Sequence, residues 1–188
     1  MNRPETATGR RSRLGVPALA GLALVTATLA TVIDQLTKWW ALVEFEDGHI
    51  VELLPTVQLR LVFNPGVAFG MGDDLGAPLV IVLMLVLSGL ATWIVVRVRR
   101  RAQTLGTLAL AAAAGGGIGN LIDRVFRAED GPLSGHVVDF VAIDWFAIFN
   151  VADIFTTCGI ALWALSAAFE ARPGSAPKIS ERPQIENQ

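Results

Sequence analysis

Apolar residues fall in four long blocks, each bounded by charges or turn formers. Residues 14–33 are almost free of charge; residues 78–96 open with Pro78 and end at the basic run Arg97, Arg99, Arg100 and Arg101. Residues 104–122 are rich in Ala and Gly, and residues 148–169 form the last block. Roughly 20 apolar residues in a helix cross the hydrocarbon core of a bilayer. The pattern therefore predicts four transmembrane helices over 14–33, 78–96, 104–122 and 148–169. A proline at the start of the second suits a first helical turn. The first block follows a basic arm, as in a secretory signal peptide, but its length and the lack of an A-x-A site at its end favour a span. Between the blocks the pattern changes. VQLRLV (57–62) alternates apolar and polar residues and predicts a short strand. FNPGVAFG (63–70) is turn-rich, and its glycines Gly66 and Gly70 permit close backbone approach. Residues 123–147 read as a loop with short apolar pieces. Residues 1–13 read as a disordered basic arm and 171–188 as a disordered tail, leaving 14–170 as one four-helix domain.

Charge orients these spans. The N-terminal arm, the loop after the second block and the C-terminal tail hold eleven of the fifteen Lys and Arg residues. By the positive-inside rule both termini and the middle loop are cytoplasmic, and the segments 34–77 and 123–147 face outward. The tryptophans Trp39, Trp40, Trp93, Trp145 and Trp163 stand mostly near predicted helix ends, as interfacial anchors do.

Composition agrees with the pattern. The chain has 188 residues, of which 53% are apolar, and a mean hydropathy of +0.53. A net charge of −2 offers no footprint for nucleic acid. The single cysteine, Cys158, excludes an internal disulfide and a Cys-based metal cluster; within an apolar helix it reads as a small buried core residue. His49 and His136 lie far apart and have no metal-ligand spacing.

The candidate chemistry lies in GHVVDFVAIDWFAIFNVADI (135–154). Asp139 and Asp153 sit there in strongly apolar surroundings, where an ionised carboxylate is costly. Asp153 follows Asn150 by three residues, about five residues into the predicted fourth span, which places it ~8 Å below the outer end at 1.5 Å per residue. Two carboxylates that meet share a proton, and such a pair can hydrolyse a peptide bond: one activates water while the other, protonated, holds the scissile carbonyl. The dull alternative for both is capping or loop hydrogen bonding. GGGIGNLIDR (115–124) ends the third block. Gly115 and Gly119 form a G-x-x-x-G pair that admits a neighbouring helix or an extended peptide. Asn120 and Asp123 share a helix face, and Arg124 offers Asp123 an adjacent charge, as in a structural clamp. On the first helix Asp34 and Lys38 are spaced i,i+4 in the favourable order. A Ser–Lys scheme has only Lys38 near the membrane, and neither a G-x-S-x-G elbow nor H-E-x-x-H is present. Intramembrane acids also mark ion-coupled transporters, but those carry repeated halves and sites at the midplane. A non-enzymatic adaptor leaves the two acids without a role.

DQLTK (34–38), FNPGVAFG (63–70), GNLIDR (119–124), HVVDF (136–140) and FNVAD (149–153) occur in the order found in the bacterial lipoprotein signal peptidases, signal peptidase II, and the chain resembles that family over nearly everything between its two tails. The resemblance implies an all-α membrane protein of four transmembrane helices with a small extracytoplasmic β-rich cradle and both termini cytoplasmic. It implies an intramembrane aspartyl endopeptidase of the bacterial inner membrane, which removes signal peptides from diacylglyceryl-modified prolipoproteins just before the lipidated cysteine. Asp139 and Asp153 match the catalytic pair. Asn64, Gly66, Asn120, Asp123, Arg124 and Asn150 match positions that support or line the site, and Asp34 and Lys38 match the first-helix pair. Neither metal nor cofactor is implied. Lipidated prolipoproteins, membrane lipids and globomycin-type inhibitors are the implied partners. One departure is a longer segment between Arg124 and His136, VFRAEDGPLSG.

Overall fold

The computed structural model describes residues 14–66, 75–128 and 131–170. The basic arm, the C-terminal tail and Gly70 lie outside the described residues. The order of elements is α1 (Val16–Glu44), β1 (Val51–Leu54), β2 (Val57–Asn64), α2 (Ala77–Arg99), α3 (Thr104–Phe126), β3 (Val137–Ile143), β4 (Ile148–Phe149) and α4 (Val151–Glu170). All four helices are long and apolar enough to cross a membrane. Their outward faces carry large exposed apolar residues such as Leu24, Leu85, Val86 and Leu165. In water such a surface would be untenable; in lipid it costs nothing. The chain is a multi-pass membrane protein.

The first helix runs well past the charge-free block. Its buried stripe is Leu19, Ala23, Ala30, Asp34, Lys38 and Ala41, residues three, four or seven apart that fall on one face. Asp34 and Lys38 thus continue the same inward stripe as the small apolar residues, and the polar pair never faces lipid. The opposite face carries Leu29, Val32, Leu36, Trp39 and Val43 toward the outside.

Helix α3 is the centre of the bundle and packs on the other three helices. Small residues allow this. A Cβ at Gly115 would overlap the backbone of Ala27 on α1, one at Gly119 the Asp34 carboxylate, and one at Gly116 the carbonyl of Ala152 on α4. The G-x-x-x-G pair is therefore taken up by α1: it serves helix packing, and neither glycine is left as a platform for an extended peptide. Gly159 brings α4 equally close to Ala109 and Ala113 of α3.

The sheet is antiparallel, in the order β1-β2-β3-β4. Strand β2 contains the predicted alternating segment and extends it to Asn64. Segment 123–147 is more than a loop, because β3 lies within it. Val137 to Phe140 are buried at every position, so alternation does not show in that stretch. The last apolar block also divides: Ile148–Phe149 closes the sheet as β4, and the helix starts only at Val151. Phe140 packs with Ala41 and Phe45 of the α1 end, and Trp40 meets both rings edge-on. This small core fixes the sheet against the bundle. Cys158 is exposed, not buried. In a membrane helix every face is apolar, so composition does not reveal which side turns outward.

Candidate active site

Asp139 projects from β3, a central strand. In the β2–β3 register Val62 faces Asp139 and Asn64 faces Val137, so Asn64 and Asp139 are diagonal neighbours on one face. Asn64 Nδ2 donates to Asp139 Oδ2 at 2.9 Å, and Asn150 Nδ2 donates to Asp139 Oδ1 at 2.6 Å. Asn64 is itself held by the Gly66 amide, which donates to its Oδ1 at 3.0 Å.

Asp153 stands in the first turn of α4. Its backbone N–H donates to Asn150 Oδ1 at 3.1 Å, and the Asn150 N–H donates to Asp153 Oδ2 at 3.2 Å. This is the reciprocal geometry of a capping box, with Asn and Asp in place of Ser and Glu. Asp153 is therefore at the helix end, not about five residues inside it. Its other oxygen, Oδ1, accepts from Asn120 Nδ2 at 2.8 Å. Capping, the dull alternative, is thus present at Asp153, yet it occupies one oxygen only. Asn150 touches both acids and ties them into one site.

A second pair of acids lies beside the first. Lys38 Nζ contacts Asp34 Oδ2 at 2.9 Å, Asp123 Oδ2 at 2.8 Å and Asn120 Oδ1 at 2.7 Å. All three charged side chains are buried. Asp34 Oδ1 accepts the Ala152 N–H at the start of α4, and Asp123 Oδ2 accepts the Val138 N–H of β3. Gln35 Nε2 reaches Asp34, Asp123 and the Gly119 carbonyl, and Arg127 Nε donates to Asp123 Oδ1 at 3.0 Å. The cluster bolts α1, α3, β3 and α4 together.

Arg124 does not clamp its neighbour in sequence. Its guanidinium donates to the Gly66 carbonyl and, at 3.2 Å, to the Asn120 carbonyl. The cation on Asp123 is instead Lys38, joined by Arg127 one helical turn away. Arg124 forms part of the wall of a cavity with Pro65, Val80, Ser134 and His136, and its Nε has no hydrogen-bond partner among the described residues.

The electrostatics of Asp139 follow from this placement. Burial pushes its carboxyl up from 3.8 to about 6; the Asn64 bond pulls it down, the charge of Asp153 pushes it up, and Asn150 and the Lys38 charge pull it down. Neither Asp139 nor Asp153 has a salt bridge to a cation among the described residues.

Asp34, Lys38, Asn64, Gly66, Asn120, Asp123, Arg124, Asp139, Asn150 and Asp153, singled out in the sequence, form one connected set of hydrogen bonds and ion pairs. Gln35 and Arg127 are members that the sequence reading left out. A signal existed for Arg127: it follows Asp123 by four residues, the spacing that marks Asp34 and Lys38.

A family model described as signal peptidase (SPase) II matches residues 26–169. The lipoprotein signal peptidase of Rhodococcus jostii (strain RHA1) is 38% identical over 181 residues, covering 95% of this chain and 84% of that protein. The lipoprotein signal peptidase of Mycobacterium tuberculosis (strain CDC 1551 / Oshkosh) is 37% identical over 147 residues, covering 78% of this chain and 70% of that protein. Among solved structures, a bacterial membrane enzyme determined by the in meso method at 2.3 Å resolution superposes with a TM-score of 0.67 at 24% identity, over 83% of this chain and 93% of that one. A second, determined at 1.9 Å, gives a TM-score of 0.61 at 26% identity, over 78% and 92%. With a family match that runs from the middle of α1 through the sheet to the end of α4, this chain belongs to the signal peptidase II family of peptidases.

Proposed function

We propose that this peptidase is an intramembrane aspartyl endopeptidase that removes signal peptides from diacylglyceryl-modified prolipoproteins, cutting the bond just before the lipidated cysteine. The relatives' shared name, lipoprotein signal peptidase, supports the substrate class. The observation that carries the mechanism is the pair Asp139 and Asp153, joined through Asn150 and, among the described residues, hydrogen-bonded by amides alone.

In this reading the pair holds one proton. The ionised member takes a proton from water as the water attacks the scissile carbonyl; the protonated member donates to the carbonyl oxygen. As the tetrahedral intermediate collapses, the member that took the proton from water gives it to the departing amine, the other member takes back a proton from the intermediate's hydroxyl, and the pair again holds one proton. Asn64, Asn120 and Asn150 hold the oxygens in place, and Arg124 lines the adjoining cavity. The substrate's acyl chains stay in lipid while its backbone reaches the site. Domain 14–170 carries the activity, both termini are cytoplasmic, and the site faces the outer side of the bacterial inner membrane; the distribution of Lys and Arg supports this orientation. Globomycin-type cyclic peptides compete for the same site.

The test is cleavage of a diacylated prolipoprotein by the purified protein in lipid, with D139N and D153N made separately. Each variant should insert and fold yet leave the substrate uncut, and the precursor without its diacylglyceryl group should be a poor substrate for the native protein. Cleavage retained by either variant rejects the pair as the catalytic unit.

A further inference from the structure

Asn120 stands between the two acid pairs, and its amide has a direction. Its Oδ1 accepts from Lys38 Nζ at 2.7 Å and from Asn150 Nδ2 at 3.0 Å, while its Nδ2 donates to Asp153 Oδ1 at 2.8 Å. The two ends of an amide have nearly the same shape, so only its partners decide which end points where. An ammonium has three donors and no acceptor. Lys38 therefore accepts only the oxygen end of Asn120. Turned over, the amide would set its NH2 against the ammonium and against the Asn150 NH2, and its oxygen against the Asp153 carboxylate.

Lys38 has no freedom to respond otherwise. It is completely buried, and its three protons match three acceptors: Asp34 Oδ2, Asp123 Oδ2 and Asn120 Oδ1. The two carboxylates account for its role as a tie between α1 and α3. The third bond runs to the amide that donates to Asp153 Oδ1, and tying the helices does not require it.

We infer that Lys38 is a positioning residue for the hydrolytic pair, acting through Asn120 by holding that amide with its Nδ2 on Asp153. This rests on the proposed aspartyl chemistry. The charged and polar groups around the relay are Asp34 and Gln35 from α1, Asp123, Arg124 and Arg127 from α3, Asp139 from β3, and Asn150 and Asp153 where β4 meets α4. The Asn120 bond fixes where the Asp153 carboxyl stands, so loosening it lowers kcat. The Lys38 charge acts on Asp139 through space and favours its ionised form, so removing it moves the acid limb of the rate profile to higher pH. Removing Asn120 separates the two routes.

Lys38→Met alone would strand two buried carboxylates, so the test uses charge-balanced variants of the full chain in lipid with a diacylated precursor peptide. For K38M/D34N the expected result is a kcat lower by about 100-fold with KM changed by less than about 3-fold, and an acid limb shifted to higher pH. K38Q/D34N, equally uncharged but still carrying a donor for Asn120 Oδ1, should recover roughly 10-fold in kcat. In an N120A background the K38M/D34N change should move kcat by less than about 3-fold, because the relay is already cut. Wild-type kcat in K38M/D34N, equal rates for the Met and Gln variants, or full multiplication of the losses with N120A would each overturn the inference while D139N and D153N stay inactive. Cleavage retained by D139N or D153N overturns the aspartyl reading and this inference with it.

Discussion

Four aspartates lie within one polar cluster, and they divide by what holds them. Asp34 and Asp123 share the ammonium of Lys38, and Asp123 has Arg127 as well. Among the described residues, Asp139 and Asp153 receive only amide N–H donors, from Asn64, Asn120 and Asn150. A carboxylate bonded to a buried cation that also ties a second helix is held in one place and serves as a fixed strut. A buried carboxylate held by neutral donors keeps its place in either protonation state, because an amide bonds a carboxylate and the carbonyl oxygen of a carboxylic acid alike. The same side chain is a structural tie in one half of the cluster and, in the proposed mechanism, a proton carrier in the other, and the difference lies in the partner.

Exchanging the roles is the strongest way to break this contrast. D153N should lower kcat by about four orders of magnitude with little change in thermal stability, whereas D123L should unfold the protein more readily by about 3–5 kcal/mol, since it leaves Lys38 short of a buried counter-charge. Melting temperatures and single-turnover cleavage of the two variants check both halves. A smaller effect is the pH dependence of stability. The Asp139 carboxyl is raised in the folded state from 3.8 to about 6. Its contribution is therefore complete below about pH 4 and is lost as pH rises through about 6, by up to ~3 kcal/mol. Melting in detergent at a series of pH values should show the stability of the native protein relative to D139N falling across that window; a constant difference would place Asp139 among the struts.

Gly119→Ala probes the seam between the halves. Its Cβ would overlap the Asp34 carboxylate, so α1 and α3 must part, at about 1–3 kcal/mol, with a loss of activity that follows the displacement of Lys38. Thermal melting together with kcat reads both effects. The smallest effect belongs to Asn64→Ala. Its bond lowers the Asp139 pKa, so removing it should shift the acid limb of kcat/KM upward by less than about one pH unit, a change visible in a pH–rate profile of the purified variant.

The helices were legible because membrane spans follow from length and apolarity, which are local properties. Strand β2 was legible from its alternation, with one face toward the bundle. Strand β3 was not: buried at Val137, Val138, Asp139 and Phe140 alike, it lacks the period-two signature, and its partner β2 lies before two intervening helices. The start of α4 was blurred because Ile148 and Phe149 are as apolar as the helix that follows; the reciprocal bonds of Asn150 and Asp153 mark the true boundary. Adjacency in sequence misassigned the partner of Asp123. Residues i and i+1 on a helix point about 100° apart, so Arg124 turns toward Gly66 while Arg127 stays on the Asp123 face.

Four spans and a set of acids, amides and cations out of place in apolar sequence were determined by the residues in order, because a membrane tolerates a buried charge only where it is paired or used. Which acid met a cation and which met an amide was decided in the tertiary structure alone. Lys38, Asn64, Asn120, Asp139 and Asp153 come from five separate elements, and the bonds among them span tens of residues. Their pairing depends on how close α1 can pack on α3 and on how β3 registers against β2, and no local rule of chain geometry reaches that far.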